Sequence, residues 1–262
     1  MAVIKEVLAA AAPRPAIESD DQAQKKEYAV RFAKKMAEIM ADDLRPKMRK
    51  ITATTKRSAR SERGPKQLDI NFSTPELGLA LGISLKSVHI RENRGARRYT
   101  HNTKRNEEEL RIEAIGYHKR QPYAVMIGVL FLPFDSCTDG KRGNPSSFGN
   151  WVRHLRPYAG RRRPDGDADR FERIYIGLYE PDGSDLRFFD IEADPPKNER
   201  PRSGADPLPL TGSAPSRLVD YREFLNAVHR EFLRRNVAEF RWADGGEAPL
   251  NVAEIQPLPG EG

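Results

Sequence analysis

The sequence predicts an α/β fold with a mixed β-sheet, and three observations lead to this prediction. Helical and strand patterns follow one another as helix, strand, strand, helix, strand, helix, and then further strands and a helix. The most apolar run, Pro122 to Phe134, has the composition and length of a fully buried central strand. Amphipathic helical patterns cover residues 22–44 and 218–240, near the two ends of this arrangement.

Each predicted element rests on its own local pattern. Apolar residues at three- and four-residue steps predict the first helix, with Asp20 or Asp21 as its N-cap and Pro46 beyond its end. Alternation around Ile70 and the β-branched run from Leu79 to Ile90 predict two strands. Residues 103–118 predict a helix capped by Thr103, residues 144–158 a short helix, and residues 173–193 a hairpin around the sequence DGSD.

These elements predict one domain over residues 22–243, with its core at about 22–158. Residues 1–21 are interpreted as a flexible N-terminal arm and residues 244–262 as a flexible tail rich in glycine and proline. The chain has 262 residues, 38% hydrophobic and 32% charged, which is polar but able to fold. Its single cysteine, Cys137, suits a reducing cytoplasm, and no segment has the pattern of a membrane span.

The positive charge is concentrated in two segments. Between Arg45 and Lys66 nine basic residues stand against Glu62 alone, with little apolar periodicity, and this predicts a mobile basic strip. A second basic segment runs from Arg91 to Asn102. With a formal net charge of +7, the simplest partner is the phosphate backbone of nucleic acid, and a solvated linker is the alternative. The candidate contacts are Lys56, Arg57, Arg60, Arg63, Lys66, Arg97, Arg98, Asn102 and Arg105.

Polar residues recur inside the two apolar strands of residues 66–90. Because side chains alternate across a strand, Ser84 and Lys86 share one face, and Ile83 and Leu85 point the other way. A carboxylate on the neighbouring strand, Asp69 or Glu76, can lie near Lys86. Carboxylates that hold Mg²⁺ beside a lysine that orients water form a hydrolytic site. The alternative is a lysine on an edge strand, with ordinary charges at the strand ends.

The sequence LDINFSTPELGLALGISLKSV, followed by a helix and a buried strand, resembles the PD-(D/E)XK nuclease superfamily over about residues 22–134. The resemblance implies a restriction-endonuclease-like core of helix, three-stranded meander, helix and strand, with a C-terminal hairpin and helix added. Lys86 matches the family lysine. Ser84 stands where the family usually has Asp or Glu. The upstream acid is Asp69 or Glu76, the latter in a Pro-Glu pair that is similar to the family's Pro-Asp.

The resemblance implies a DNA endonuclease of restriction or phage-defence type. Its catalytic residues would be Lys86, Asp69, Glu76 and Ser84; its metal ligands would be Asp69 and Glu76; and Mg²⁺ would be its cofactor, with Mn²⁺ able to substitute. A homodimer would cut both strands, and a companion methyltransferase or defence-system subunit is an expected partner. Two alternatives remain open: a non-catalytic nucleic-acid-binding protein that keeps the nuclease fold, and an adaptor that binds an acidic protein.

Overall fold

A computed structural model describes residues 2–15, 21–48, 52–55, 58–61, 64–74, 78–89, 98–100, 102–140, 146–192 and 218–235. Of these, Ala2, residues 52–55, 58–61 and 64–67, and Thr74 are described by their backbone alone. The helices are α1 (Ala2–Ala11), α2 (Gln22–Leu44), α3 (Thr103–His118), α4 (Ser147–Leu155) and α5 (Tyr221–Arg235). The strands are β1 (Thr52–Thr55), β2 (Ser58–Ser61), β3 (Gly64–Gln67), β4 (Ile70–Thr74), β5 (Gly78–Ser87), β6 (Val125–Pro133), β7 (Arg173–Tyr179), β8 (Leu186–Asp190) and β9 (Leu218–Val219). Short 3-10 helices cover Phe134–Cys137 and Arg156–Tyr158.

Seven strands form one mixed sheet in the order β1-β4-β5-β6-β7-β8-β9. The three central strands β5, β6 and β7 run parallel, and the remaining neighbours pair antiparallel. Every residue of β6 is buried, as its uniformly apolar sequence predicts. The α/β fold with a mixed sheet flanked by helices is therefore confirmed. None of the described helices combines the length and apolarity needed to cross a bilayer.

Two hydrophobic cores lie on opposite faces of this sheet. One core joins the sheet to α1, α2 and α5, and Ile83 and Leu85 of β5 belong to it. The other core joins the sheet to α3 and α4, whose Leu110 and Trp151 are buried there. Ser84 and Lys86, at the alternate positions of β5, contact α3 instead. The alternation predicted for β5 therefore places its two polar side chains beneath α3.

The predicted helices begin and end close to their local signals. The Asp21 side chain accepts hydrogen bonds from two backbone amides in the first turn of α2, which identifies Asp21 as the cap. The pattern of residues 218–240 predicts a helix from Leu218 onward, but residues 218–219 form β9, and α5 begins at Tyr221. Asp220 and Glu223 exchange side-chain to backbone hydrogen bonds there, a capping box that fixes the start of the helix.

The interpretation of residues 1–21 as a flexible arm needs correction, because residues 2–11 form α1. Ile4, Val7 and Ala11 are buried in the core beside α2, at the spacing that places them on one face of a helix. Glu6 pairs with Lys35 of α2 at 2.8 Å. The short alanine-rich segment is only weakly apolar by itself, but its few apolar side chains are enough to hold the helix in the core because α2 provides the opposing surface.

The basic strip between Arg45 and Lys66 also differs from its prediction, because it contains three strands rather than an irregular segment. β1, with its three threonines, pairs antiparallel with β4 and becomes the edge of the main sheet. β2 and β3 pair with each other in a separate two-stranded sheet. The many basic residues indicate a solvated segment, and they outweighed the strand preference of the threonines in the prediction. Residues 193–217 and the predicted C-terminal tail, residues 244–262, lie outside the described residues.

A buried ion network supports the side of the sheet where β6 and β7 begin. The Glu172 carboxylate is fully buried and accepts hydrogen bonds from Arg161 at 2.9 Å and Arg235 at 2.7 Å. It also accepts the backbone amide of Met126 at 2.7 Å. His118 at the end of α3 lies 3.3 Å from the same carboxylate. This buried ion network thus connects α3, α5 and two central strands.

Candidate active site

Lys86 lies on β5 with its ammonium held between two carboxylates of α3. Its Nζ lies 3.3 Å from Oε2 of Glu109 and 3.3 Å from Oε1 of Glu113. The two glutamates are four residues apart, so one face of α3 presents both of them to the strand. Only 18% of the Lys86 side chain is exposed, against 39% for Glu109 and 10% for Glu113. The cluster therefore opens to solvent on the Glu109 side.

Ser84 completes the inner end of this cluster. Its hydroxyl donates to Oε2 of Glu113 at 2.5 Å, while the other oxygen of that carboxylate accepts from Lys86. Both Ser84 and Glu113 are buried. A buried carboxylate needs such partners on both oxygens, because its desolvation is otherwise costly. Glu113 therefore bridges the two polar side chains of β5.

Asp69 lies immediately before β4, close enough to Lys86 for its charge to act on the ammonium. Its Oδ2 accepts the backbone amide of Leu85 at 2.7 Å. The antiparallel pairing of Ile70 with Ile83 brings it to this position, since it aligns the start of β4 with the middle of β5. The structure thus brings together Asp69, Ser84 and Lys86 as the sequence predicts. Glu76, the alternative acid, lies outside the described residues.

The charges of the cluster shift two pKa values in opposite directions. Burial alone would lower the pKa of Lys86, but the negative charges of Glu113, Glu109 and Asp69 outweigh it and raise that pKa. Burial tends to raise the pKa of Glu109, but the hydrogen bond from Arg105 and the charge of Lys86 lower it overall. Lys86 is therefore an ammonium at neutral pH, a donor that can bind a negatively charged oxygen.

Sequence reasoning missed Glu113. Its position carried a usable signal, since Leu110, Ala114 and Tyr117 predict the buried face of α3 and Glu113 falls on that same face. A carboxylate on a buried helix face needs a buried partner. Lys86 and Ser84 are those partners.

The start of α3 carries two of the predicted nucleic-acid contacts. Asn102 is the N-cap, in the left-handed region with φ +58°, so Thr103 is the first helical residue rather than the predicted cap. Arg105 is 74% exposed, and its Nε donates to Oε1 of Glu109 at 2.9 Å. This contact places an exposed guanidinium next to the solvent-facing side of the Lys86 cluster.

The other predicted nucleic-acid contacts are only partly described. Arg98 belongs to the short described segment 98–100, next to the buried Tyr99. Arg60 and Lys66 lie on β2 and β3, whose backbone is described. Lys56, Arg57, Arg63 and Arg97 lie outside the described residues.

The donor set around Lys86 is only partly suited to a metal ion. Asp69, Glu109 and Glu113 offer carboxylate oxygens, the ligand type that Mg²⁺ prefers. Within the ranges that the structure describes, however, no group of three or more His, Cys, Asp or Glu side chains is placed to hold a metal ion. Glu109 and Glu113 are instead paired with Lys86. A metal in this place would have to share these carboxylates with the lysine.

Comparison with known proteins gives no assignment, since no family model, no curated protein and no solved structure matches this chain.

Proposed function

We propose that the chain is a metal-dependent endonuclease that hydrolyses DNA phosphodiester bonds, of restriction or phage-defence type. The observation that carries the proposal is the position of Glu113, which contacts both Ser84 and Lys86. The sequence resembles the PD-(D/E)XK pattern except that serine replaces the acid two residues before the lysine. The Glu113 carboxylate from α3 lies beside that serine, so it can take the place of the acid that the sequence lacks at position 84.

The order of elements supports the same proposal. α2 precedes a meander in which β1 pairs with β4 and β4 pairs with β5, and α3 then leads to β6. The resemblance implies this succession of helix, three-stranded meander, helix and strand. It also implies an acid on the second strand of the meander, where Asp69 directly precedes β4.

The roles of the residues follow from their chemistry. Lys86 is a buried ammonium that would orient the attacking water and stabilise the negative charge that develops on the phosphate. Asp69 and Glu113 would hold Mg²⁺, with Glu76 as a further predicted ligand, and the metal would supply Lewis-acid polarisation of the phosphate when bound. Ser84 would keep the Glu113 carboxylate in place. A twofold pair of such chains would present one site to each DNA strand.

Plasmid cleavage tests the proposal. Supercoiled DNA is incubated with the wild type, with Lys86→Ala and with the control Lys26→Ala, in Mg²⁺, Mn²⁺ or EDTA. Lys26 is an exposed residue of α2, which packs on the opposite face of the sheet from Lys86. The expected result is metal-dependent nicking or linearisation by the wild type and the control, and loss of about 10²–10³-fold in rate for Lys86→Ala.

A second function, a non-catalytic nucleic-acid-binding protein, is favoured by one observation. Lys86 is fully engaged by two carboxylates, as in a structural ion cluster, and the described residues offer no group placed for a metal ion. Such a protein would bind DNA equally well with metal or with EDTA and would cut under neither condition. Its affinity would fall with salt concentration, because phosphate contacts release counterions.

A further inference from the structure

The connection between β1 and β4 is longer than its pairing requires. Thr55 pairs with Ile70, and antiparallel neighbours of this kind can be joined by a two-residue turn. Here residues 56–69 intervene. Part of this excursion folds back on itself as β2 and β3, with the register running from Ser58 opposite Gln67 to Ser61 opposite Gly64. The result is a two-stranded ribbon that is separate from the main sheet.

This ribbon lies on the side of the sheet that carries the Lys86 cluster. The backbone of β2 runs close to both β5 and α3. β5 contributes Lys86 and Ser84, and α3 contributes Glu109 and Glu113. The ribbon therefore adjoins the same two elements that build the candidate active site, whereas α1, α2 and α5 cover the other face.

The composition of the excursion points to phosphate as its ligand. It holds five basic residues, Lys56, Arg57, Arg60, Arg63 and Lys66, against the acidic residues Glu62 and Asp69. Asp69 is engaged with the amide of Leu85. The excursion also contains no Phe, Tyr or Trp. Proteins that bind single strands rely on aromatic side chains for base stacking, so this composition disfavours a single-stranded ligand.

We infer that the β2–β3 ribbon is a duplex-binding arm, which contacts the phosphates of double-stranded DNA and brings the backbone to Lys86. The inference rests on the proposed function and names the surface that binds its duplex substrate. The major groove of B-form DNA is wide enough for a two-stranded ribbon, and flanking basic residues then reach phosphates on either side. The arm is attached on both sides to paired strands, β1 and β4, so engagement of a duplex fixes its position relative to the site.

The test is a binding measurement on the full chain in EDTA, where cleavage plays no part. The arm variant is Arg60→Gln with Lys66→Gln. The control variant is Lys26→Gln with Arg222→Gln, which removes one lysine and one arginine from exposed positions of α2 and α5. Fluorescence anisotropy gives Kd for a labelled duplex, and for a single strand of the same length, over a series of salt concentrations.

The arm variant is expected to bind the duplex about tenfold more weakly than the wild type. The slope of log Kd against log salt concentration should fall by about 2, because two phosphate contacts are lost. The control variant should keep both the affinity and the slope. Single-stranded DNA should bind the wild type more weakly than the duplex does.

Each other outcome has a distinct meaning. An arm variant that matches the control in Kd and slope would overturn the inference, as would tighter binding of the single strand by the wild type. If the arm variant shows the expected loss of affinity but the wild type never cuts plasmid, the duplex-binding arm would stand and the nuclease proposal would be overturned. A wild type that binds no duplex would overturn both.

Discussion

Replacing Glu113 by glutamine tests whether the helix carboxylate stands in for the acid that Ser84 lacks. Glutamine keeps the size of the side chain and an oxygen that can accept from Ser84, but it removes the negative charge 3.3 Å from Lys86. At an effective permittivity of about 20, unit charges at this distance attract by about 5 kcal/mol. Desolvation and the remaining Glu109 offset most of this, so we expect about 1–2 kcal/mol of lost stability.

The catalytic effect should be larger than the effect on stability. If Glu113 holds the metal that Lys86 works beside, Glu113→Gln should lower the cleavage rate by about 10²-fold or more, equivalent to about 2.7 kcal/mol. The pKa of Lys86 should fall, because the negative charge of Glu113 raises it. Urea denaturation gives the stability change, and single-turnover cleavage of a labelled duplex well below the melting temperature gives the rate.

Glu109→Gln is the matched comparison, since Glu109 lies at the same distance from Lys86 but is 39% exposed and also paired with Arg105. Screening by solvent should limit its effect on stability to about 0.5 kcal/mol. Wild-type cleavage by Glu113→Gln, with the expected loss of stability, would refute the reasoning, because it would leave Glu113 a purely structural partner of Lys86.

Further predictions concern the same cluster and the buried ion network. Ser84→Asp places a second carboxylate next to Glu113, so the melting temperature of this variant in EDTA should lie below that of the wild type. Addition of Mg²⁺ should raise the melting temperature of the variant more than that of the wild type, and an equal rise in both would count against a metal between these groups. The pKa of Lys86 is raised in the folded chain, so the stability it contributes is present below its unfolded pKa, about 10.4, and is lost as the pH rises through the folded value. Between neutral and strongly alkaline pH, the free energy of unfolding measured in urea should therefore fall more steeply for the wild type than for Lys86→Met. The same pH dependence in both proteins would contradict this. Glu172→Ala should cost about 3–5 kcal/mol, because it leaves buried arginine charge uncompensated, and a change below about 1 kcal/mol in urea denaturation would show that the network is dispensable.

The sequence predicts those parts of the fold that are recorded in local patterns. β6 is apolar throughout and needs no neighbour to be recognised as a central strand. The alternation in β5 likewise places Ser84 and Lys86 on one face before any partner is known. Asp69 is predicted beside Lys86 because consecutive strands usually pair. The first two predictions rest on the local pattern alone, and the third needs only the pairing of strands that are neighbours in the chain.

The parts that escape prediction depend on distant surfaces or on competing signals. Glu113 reaches Ser84 only because α3 packs against β5, a contact that the sequence of α3 does not record. The apolar residues of α1 become informative only against α2. The strands within residues 52–67 are not predicted, because their sequence is rich in basic residues, which are more often found in solvated segments.

The nicking rate of supercoiled plasmid, measured for the wild type and for Lys86→Ala, decides whether Lys86 and its carboxylates form a nuclease site. We expect nicking in Mg²⁺ or Mn²⁺, none in EDTA, and a loss of about 10²–10³-fold in Lys86→Ala that remains folded by circular dichroism. Metal-dependent nicking that persists at the wild-type rate in folded Lys86→Ala would contradict the site. Duplex binding without nicking in any metal would contradict the enzyme and favour the binding protein.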